Sequence, residues 1–293
     1  MTDAPFGRLL TAVITPFDDA NRVDYGVFYR LCRHLLDTGS DGVVVTGTTG
    51  ESPTLSTAEK VALYKTAVEA VGDQGLVIAG TGTYNTAESI ELSRRAVDVG
   101  VNAVMAVTPY YSKPPQEGLY RHFTAIADAA GVPVMLYNIP GRTARVIEID
   151  TLVRLAEHDG IVAVKDAVDD IEFSRKAIPA LPDGFAVYSG SDSMTMSIVE
   201  AGGVGVVSVT AHLAGRTIKA MLDAAARDDW DEARRLDELI APLNAALFAE
   251  PNPMPLKGAL SRVWEPVGSP RLPLVPAVDA TVETAVEALE AIG

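Results

Sequence analysis

Residues 161–167 read IVAVKDA. The apolar, β-branched run predicts a strand buried on both faces, and it leads straight into Lys165 and Asp166. A lysine is out of place inside such a strand unless it is paired or chemically used. At the C-terminal end of the strand its amine points into a partly desolvated pocket. Desolvation lowers an amine's pKa, and a neutral amine attacks carbonyls. One reading is therefore a Schiff-base lysine; the other is a strand-end lysine that snorkels to water.

The same unit recurs on either side of that strand. Upstream, apolar strand candidates at 8–15, 41–47, 75–81, 102–108 and 132–138 alternate with helical periodicity over 24–38, 56–71, 86–100, roughly 115–130 and about 148–158. Ser56 with Glu59 makes a capping-box pair, and Gly39 and Gly131 sit where helices should close. Downstream come a helix over about 170–180, a strand at 184–190, a helix near 191–201, a strand at 203–210 and a helix over about 214–227. Eight βα units predict parallel strands with right-handed crossovers. Eight of them within about 230 residues is the size of a closed (β/α)8 TIM barrel, an α/β fold. The competing architecture, an open doubly wound sheet, wants a Gly-rich nucleotide loop after strand one; that strand ends instead in ITPFDD, 14–19. The expected organisation is a catalytic barrel over 1–230 and a C-terminal helical appendage over 231–293. The latter carries one helix within 228–249 and another within 278–292.

Composition removes several classes of function. The chain has 293 residues and a net charge of −15, with no Lys/Arg cluster. That argues against binding nucleic acid. No uninterrupted apolar run reaches the ~18 residues of a membrane span, and the first residues lack a signal-peptide pattern, so a cytoplasmic protein is expected. The single cysteine, Cys32, excludes an intrachain disulfide and reads as a lone buried thiol. His34, His122, His158 and His212 show no zinc spacing, so no metal is expected.

In a barrel of this kind chemistry sits on the loops after the strands, and polar residues collect there. Strand two ends in GTTGES, 47–52. Thr48 and Thr49 among glycines make a nest of donors suited to a small carboxylate, or a plain turn that needs its glycines. Strand four ends in TPYYSKPP, 108–115, whose adjacent tyrosines read as a catalytic element or an interface anchor. Strand five ends in YNIPGRT, 137–143, placing Tyr137 at the barrel face and Arg142 after a Pro-Gly turn. Arg142 can clamp a carboxylate with two hydrogen bonds; alone, it could equally be a surface arginine. Strand six gives Lys165, strand seven SGSD at 189–192, and strand eight Val207 and Ser208. A hydroxyl pair, a tyrosine, an arginine and a lysine converging on one rim point to an enzyme acting on oxo acids. The amine serves the carbonyl, a donor nest and an arginine serve carboxylates, and hydroxyls move protons.

These strings, together with LLTAVITPF (9–17), VVSVTAH (206–212), EPNPMPLKGAL (250–260) and RLPLVP (271–276), resemble the pyruvate-dependent class I aldolase and N-acetylneuraminate lyase family. The resemblance spans essentially residues 8–276. Within the family it is nearest to the branch that condenses pyruvate with L-aspartate 4-semialdehyde on the route to diaminopimelate and lysine; lyases of keto-sugar acids are the alternative. The resemblance implies that Lys165 forms the Schiff base with pyruvate and that Tyr137 passes protons beside it. It further implies that Thr48 links Tyr137 to Tyr111, which acts across a subunit interface in a homo-oligomer, a dimer of dimers. Thr49 would hold the pyruvate carboxylate, Arg142 the carboxylate of the second substrate, and Gly190 and the Val207 carbonyl would line the pocket. No metal or organic cofactor is implied. Asp166 stands where the family commonly has Glu, and SGSD where SGDD is usual; both positions are expected close to the pocket. Positions matching a lysine-feedback cleft are Ser52, Pro53, Thr57, Lys60, Tyr84, Glu88 and Tyr110. An ammonium at Lys60 repels cationic lysine, so weak or absent inhibition is expected.

Overall fold

The computed structural model describes residues 4–293. Among them, parallel strands β1 (Leu9–Ala12), β2 (Gly42–Val45), β3 (Leu76–Gly80), β4 (Ala103–Val107), β5 (Val134–Asn138), β6 (Ile161–Asp166), β7 (Ala186–Ser189) and β8 (Gly205–Ser208) pair in sequence order and close β8 onto β1. Between them lie α1 (Tyr25–Asp37), α2 (Thr57–Val71), α3 (Thr86–Asp98), α4 (Gln116–Ala130), α5 (Pro140–Thr143), α6 (Ile149–Ala156), α7 (Ile171–Ala177) and α8 (Thr195–Glu200). After β8 come α9 (Ala211–Ala226), α10 (Trp230–Leu247), α11 (Met254–Val263) and α12 (Asp279–Glu290). The fold is the (β/α)8 barrel with C-terminal helices that the repeat predicts.

Alternation along each strand separates two packed layers, because successive side chains point to opposite faces. Leu10, Val44, Ile78, Met105, Met135 and Ala163 fill the barrel interior. Their neighbours Leu9, Val43, Val77, Val104, Leu136 and Val164 face the surrounding helices. Both layers are apolar, which is why the strands read as continuous hydrophobic runs. The interior is closed at its N-terminal end by Tyr188, whose hydroxyl donates to the Gly7 carbonyl at 2.9 Å and accepts the Phe6 N–H at 3.2 Å.

The helix signals hold where local chemistry is strong. Ser56 and Glu59 form the reciprocal capping box of α2, Asp24 caps α1, and Gly131 takes the left-handed conformation after α4. Differences appear where the pattern is interrupted. The segment 191–201 forms a tight turn over Asp192–Met194 before α8 begins. α9 starts at Ala211 rather than 214, with non-helical backbone at Ala214. α5 and α11 are additional to the expected elements. α11 was hidden because Pro255, Lys257 and Gly258 break its apolar periodicity, although Lys257 is buried. α10 begins at Trp230, beside the expected 230/231 boundary, and packs along α9; α12 covers α10 and α11.

Candidate active site

Strand period places the chemistry. Lys165 shares the interior face of β6 with Ala163, and it pairs laterally with Tyr137 of β5 and Tyr188 of β7. Its side chain is 5% exposed, and its Nζ lies 4.2 Å from the centre of the Tyr137 ring. Asp166, one residue on, points to the opposite face. It accepts from the Ser174 hydroxyl at 2.6 Å and from the Val168 N–H at 3.1 Å, while burial raises its pKa above the ordinary carboxylate value. The Asp166 side chain therefore anchors α7 and does not line the cavity, although Lys165 and Ala167 on either side of it do. Gly190, following β7, donates its N–H to the Asp166 carbonyl at 2.6 Å. A Cβ there would lie 3.0 Å from the Lys165 Cγ and 2.8 Å from the Ala167 Cβ, so a bare backbone is what lets this loop approach the lysine.

A cavity of about 190 Å³ opens over the C-terminal rim and brings together Thr48, Thr49, Tyr137, Arg142, Lys165 and Gly190. A second cavity of about 250 Å³ adjoins it, sharing Thr48, Tyr137 and Arg142 and adding Tyr110. Arg142 lies at the mouth on α5, exposed, just after the Pro140 that starts this short helix. Thr49 is buried and its hydroxyl accepts from the Asn252 amide at 2.9 Å. Two of the anticipated residues line neither cavity of their own chain. Val207 packs inside the barrel at 1% exposure, and the residue of this segment that lines the cavity is Val209. Tyr111 is 92% exposed with φ of +68° and lines neither cavity of its own chain, whereas its neighbour Tyr110 does.

Three groups at the site were not assigned from sequence. Asn252 comes from the segment preceding α11 and lines the cavity beside Lys165. Its only signal was the EPNPMPLKGAL string, which carries no chemistry by itself. Asp192, the last residue of SGSD, is buried. It accepts from the Ser208 hydroxyl and from the N–H groups of Val209 at 2.8 Å and Thr210 at 3.3 Å. Burial raises its pKa, against which these hydrogen bonds and the charge of Lys165 work. The third group is Glu51, fully buried after the threonine pair and in contact with Lys257.

Elsewhere, Lys60 on α2 is buried, and burial lowers its pKa against the opposing field of Glu88. Tyr84 and Tyr110 meet edge to face at 5.2 Å. Cys32 is buried, and burial raises its thiol pKa. Among the described residues no group of His, Cys, Asp and Glu is arranged to hold a metal, and no helix is long and apolar enough to cross a membrane.

The chain as a whole has counterparts among known proteins. Residues 5–292 match the Dihydrodipicolinate synthetase family. The chain belongs to this family. A 4-hydroxy-tetrahydrodipicolinate synthase from Heliobacterium modesticaldum is 48% identical over 288 residues, covering 98% of this chain and 96% of the relative. The crystal structure of a dihydrodipicolinate synthase from Bacillus anthracis superposes with a TM-score of 0.94 at 45% identity, covering 99% of both chains. The dihydrodipicolinate synthase of Acinetobacter baumannii, described as chloride inhibited and complexed with pyruvate, superposes with a TM-score of 0.95 at 38% identity, over 98% of this chain and 99% of that one. Membership in the dihydrodipicolinate synthetase family makes the protein an enzyme of the lyase class. The keto-sugar-acid alternative is not favoured, since these relatives carry the synthase name.

Proposed function

We propose that this chain is a 4-hydroxy-tetrahydrodipicolinate synthase, condensing pyruvate with L-aspartate 4-semialdehyde in the cytoplasm on the route to diaminopimelate and lysine. The observation that carries the reading is the Lys165 amine, 4.2 Å over the Tyr137 ring, in a cavity shared with Thr48, Thr49 and Arg142. In the proposed reaction the neutral Lys165 amine adds to C2 of pyruvate, and water leaves as the imine forms. The protonated imine is an electron sink, so a methyl proton departs and an enamine results. The enamine carbon adds to the aldehyde of the second substrate, whose oxygen takes up a proton and becomes the hydroxyl. The amine of the semialdehyde then attacks the imine carbon, displaces Lys165 and closes the six-membered ring.

Each side chain has one job in this scheme. Tyr137 exchanges protons at the carbinolamine, and Thr48 connects it to Tyr111. Tyr111 acts in the site of a second subunit, a role supported by its near-complete exposure and its absence from its own cavities. A homo-oligomer follows, with a dimer of dimers as the proposed arrangement. Thr49 holds the pyruvate carboxylate, Arg142 that of the semialdehyde, and Gly190 with the strand-eight backbone near Val207 closes the pocket. The lysine imine supplies the sink itself, so the scheme routes no step through a metal or organic cofactor. Feedback by lysine is weak or absent in this reading, because the buried Lys60 opposes a second ammonium.

The test is a borohydride trap. Reduction in the presence of pyruvate should add a pyruvate-derived group to the Lys165 peptide, read by mass spectrometry. Lys165→Ala should stay folded, escape labelling and lose nearly all turnover. A folded wild-type protein that gives no adduct would overturn the assignment.

A further inference from the structure

The loop that carries Thr48 and Thr49 is held in a conformation it would not keep alone. Two of its non-glycine residues, Thr46 and Glu51, have φ of +54° and +55°, in the left-handed region that side chains disfavour. Such residues persist only where their surroundings over-determine them. At the first, the Thr46 hydroxyl lies 2.9 Å from the Tyr64 hydroxyl and 3.0 Å from the Gly80 carbonyl, all buried.

At the second, the constraint comes from the far end of the sequence. The Glu51 carboxylate meets the Lys257 Nζ at 2.7 Å, with side-chain exposures of 0% and 1%, and its other oxygen accepts the Arg271 N–H at 2.8 Å. Lys257 is itself fixed, its Nζ lying 4.2 Å over the Phe17 ring and 3.4 Å from the Ser269 carbonyl. Arg271 bridges to Glu59 at 2.7 Å and to the Thr54 carbonyl at 3.0 Å. Glu51 in turn is tied to the catalytic loop, because its N–H donates to the Thr48 carbonyl at 3.0 Å. The segment leading into α11 adds a second tether, from Asn252 to the Thr49 hydroxyl.

A buried ion pair is weak evidence for stability, since well-packed neutral residues often serve as well. Here the pair fixes a strained backbone residue hydrogen-bonded to the loop that faces Lys165. We infer that Glu51 and Lys257 are a positioning pair: Lys257 holds Glu51 in its left-handed turn and so holds Thr48 and Thr49 at the pyruvate subsite. This rests on the proposed function, which assigns Thr49 to the pyruvate carboxylate. The pair touches no substrate and acts only through the loop.

Glu51→Gln, Lys257→Met and the double variant, made in the full chain, test this. Lys257→Met strands a buried carboxylate, while the double variant removes both charges. The expected result is a pyruvate KM raised about tenfold in every variant that folds, reflecting displacement of the carboxylate-binding loop. The KM for the semialdehyde should stay near its wild-type value, and the double variant should recover most of the thermal stability lost in Lys257→Met while its pyruvate KM remains raised. Should Lys257→Met fail to fold, Glu51→Gln and the double variant carry the test. A pyruvate KM that returns to wild type together with stability, or that never moves, would overturn the positioning role. Failure of the proposed function is separately visible, because the wild-type protein would then form no borohydride-trapped pyruvate adduct.

Discussion

Replacing Asp192 tests how the rim is supported beside Lys165. One of its oxygens takes the Ser208 hydroxyl, and the other takes the N–H groups of Val209 and Thr210 at 2.8 and 3.3 Å. The Ser208 oxygen in turn accepts the Ala211 N–H at 2.8 Å, so the aspartate holds the whole turn from β8 into α9. Asp192→Ala leaves three buried donors without their acceptor. A buried donor left unpaired costs roughly 1–3 kcal/mol. Counting the Val209 N–H in full and the long Thr210 contact and the rotatable serine hydroxyl at about half weight each, the expected loss is about 2–6 kcal/mol. Asp192→Asn behaves differently. Its carbonyl oxygen keeps the backbone N–H groups, and its amide donates to the Ser208 oxygen once that hydroxyl rotates. Only the charge assistance is lost, and removing a buried charge offsets part of it, leaving a cost of about 1–2 kcal/mol. Urea unfolding at matched protomer concentration, followed by circular dichroism and tryptophan fluorescence, reads both values, provided the slope with denaturant stays constant. An alanine variant within about 1 kcal/mol of wild type would refute the reasoning, as would an asparagine variant as damaged as alanine.

Two further outcomes follow from the geometry. Tyr111→Phe should slow turnover by about 100-fold, the scale of a lost proton-transfer group; mixing it with Lys165→Ala subunits should restore part of the activity if the tyrosine works across an interface, and a mixture as inactive as its parents would contradict that role. His122 and His212 are buried, and desolvation pulls both pKa values down to about 4 from 6.5. The unfolded chain therefore binds protons between pH 6.5 and 4 that the folded chain refuses, so their stabilising contribution is full above about 6.5 and is lost as pH falls toward 4. The urea midpoint should fall across that window and fall less steeply in His122→Gln; an unchanged slope would show that this histidine does not titrate as described.

Much of the molecule was legible because its signals are local and repeated. Each βα unit carries its own apolar run, helical period and punctuation, and the eight together admit few topologies. Lys165 stood out because a charge ending a doubly buried strand contradicts its surroundings, and β-strand parity then separates it from Asp166. The omissions have a common physical origin. Asp192, Asn252, Glu51 and Lys257 act through partners 16 to about 200 positions away, as with Ser208 for Asp192 and Thr49 for Asn252. No periodicity or spacing encodes contacts of that range. Tyr111 was legible as a residue of interest, and its own chain gives it nothing to act upon.

The anchoring of the Thr48–Thr49 loop by Asn252, Lys257 and Arg271 has a consequence for the order in which the protein comes into being. A polypeptide is made from its N-terminus, and its early parts begin folding while later parts are still being made. All eight barrel strands are present once Ser208 has been added, yet the loop after β2 must wait for residues more than 40 positions further along. Synthesis of the segment from Asn252 to Arg271 is thus a maturation step, and a nascent barrel remains a scaffold with an unfinished rim until that segment docks.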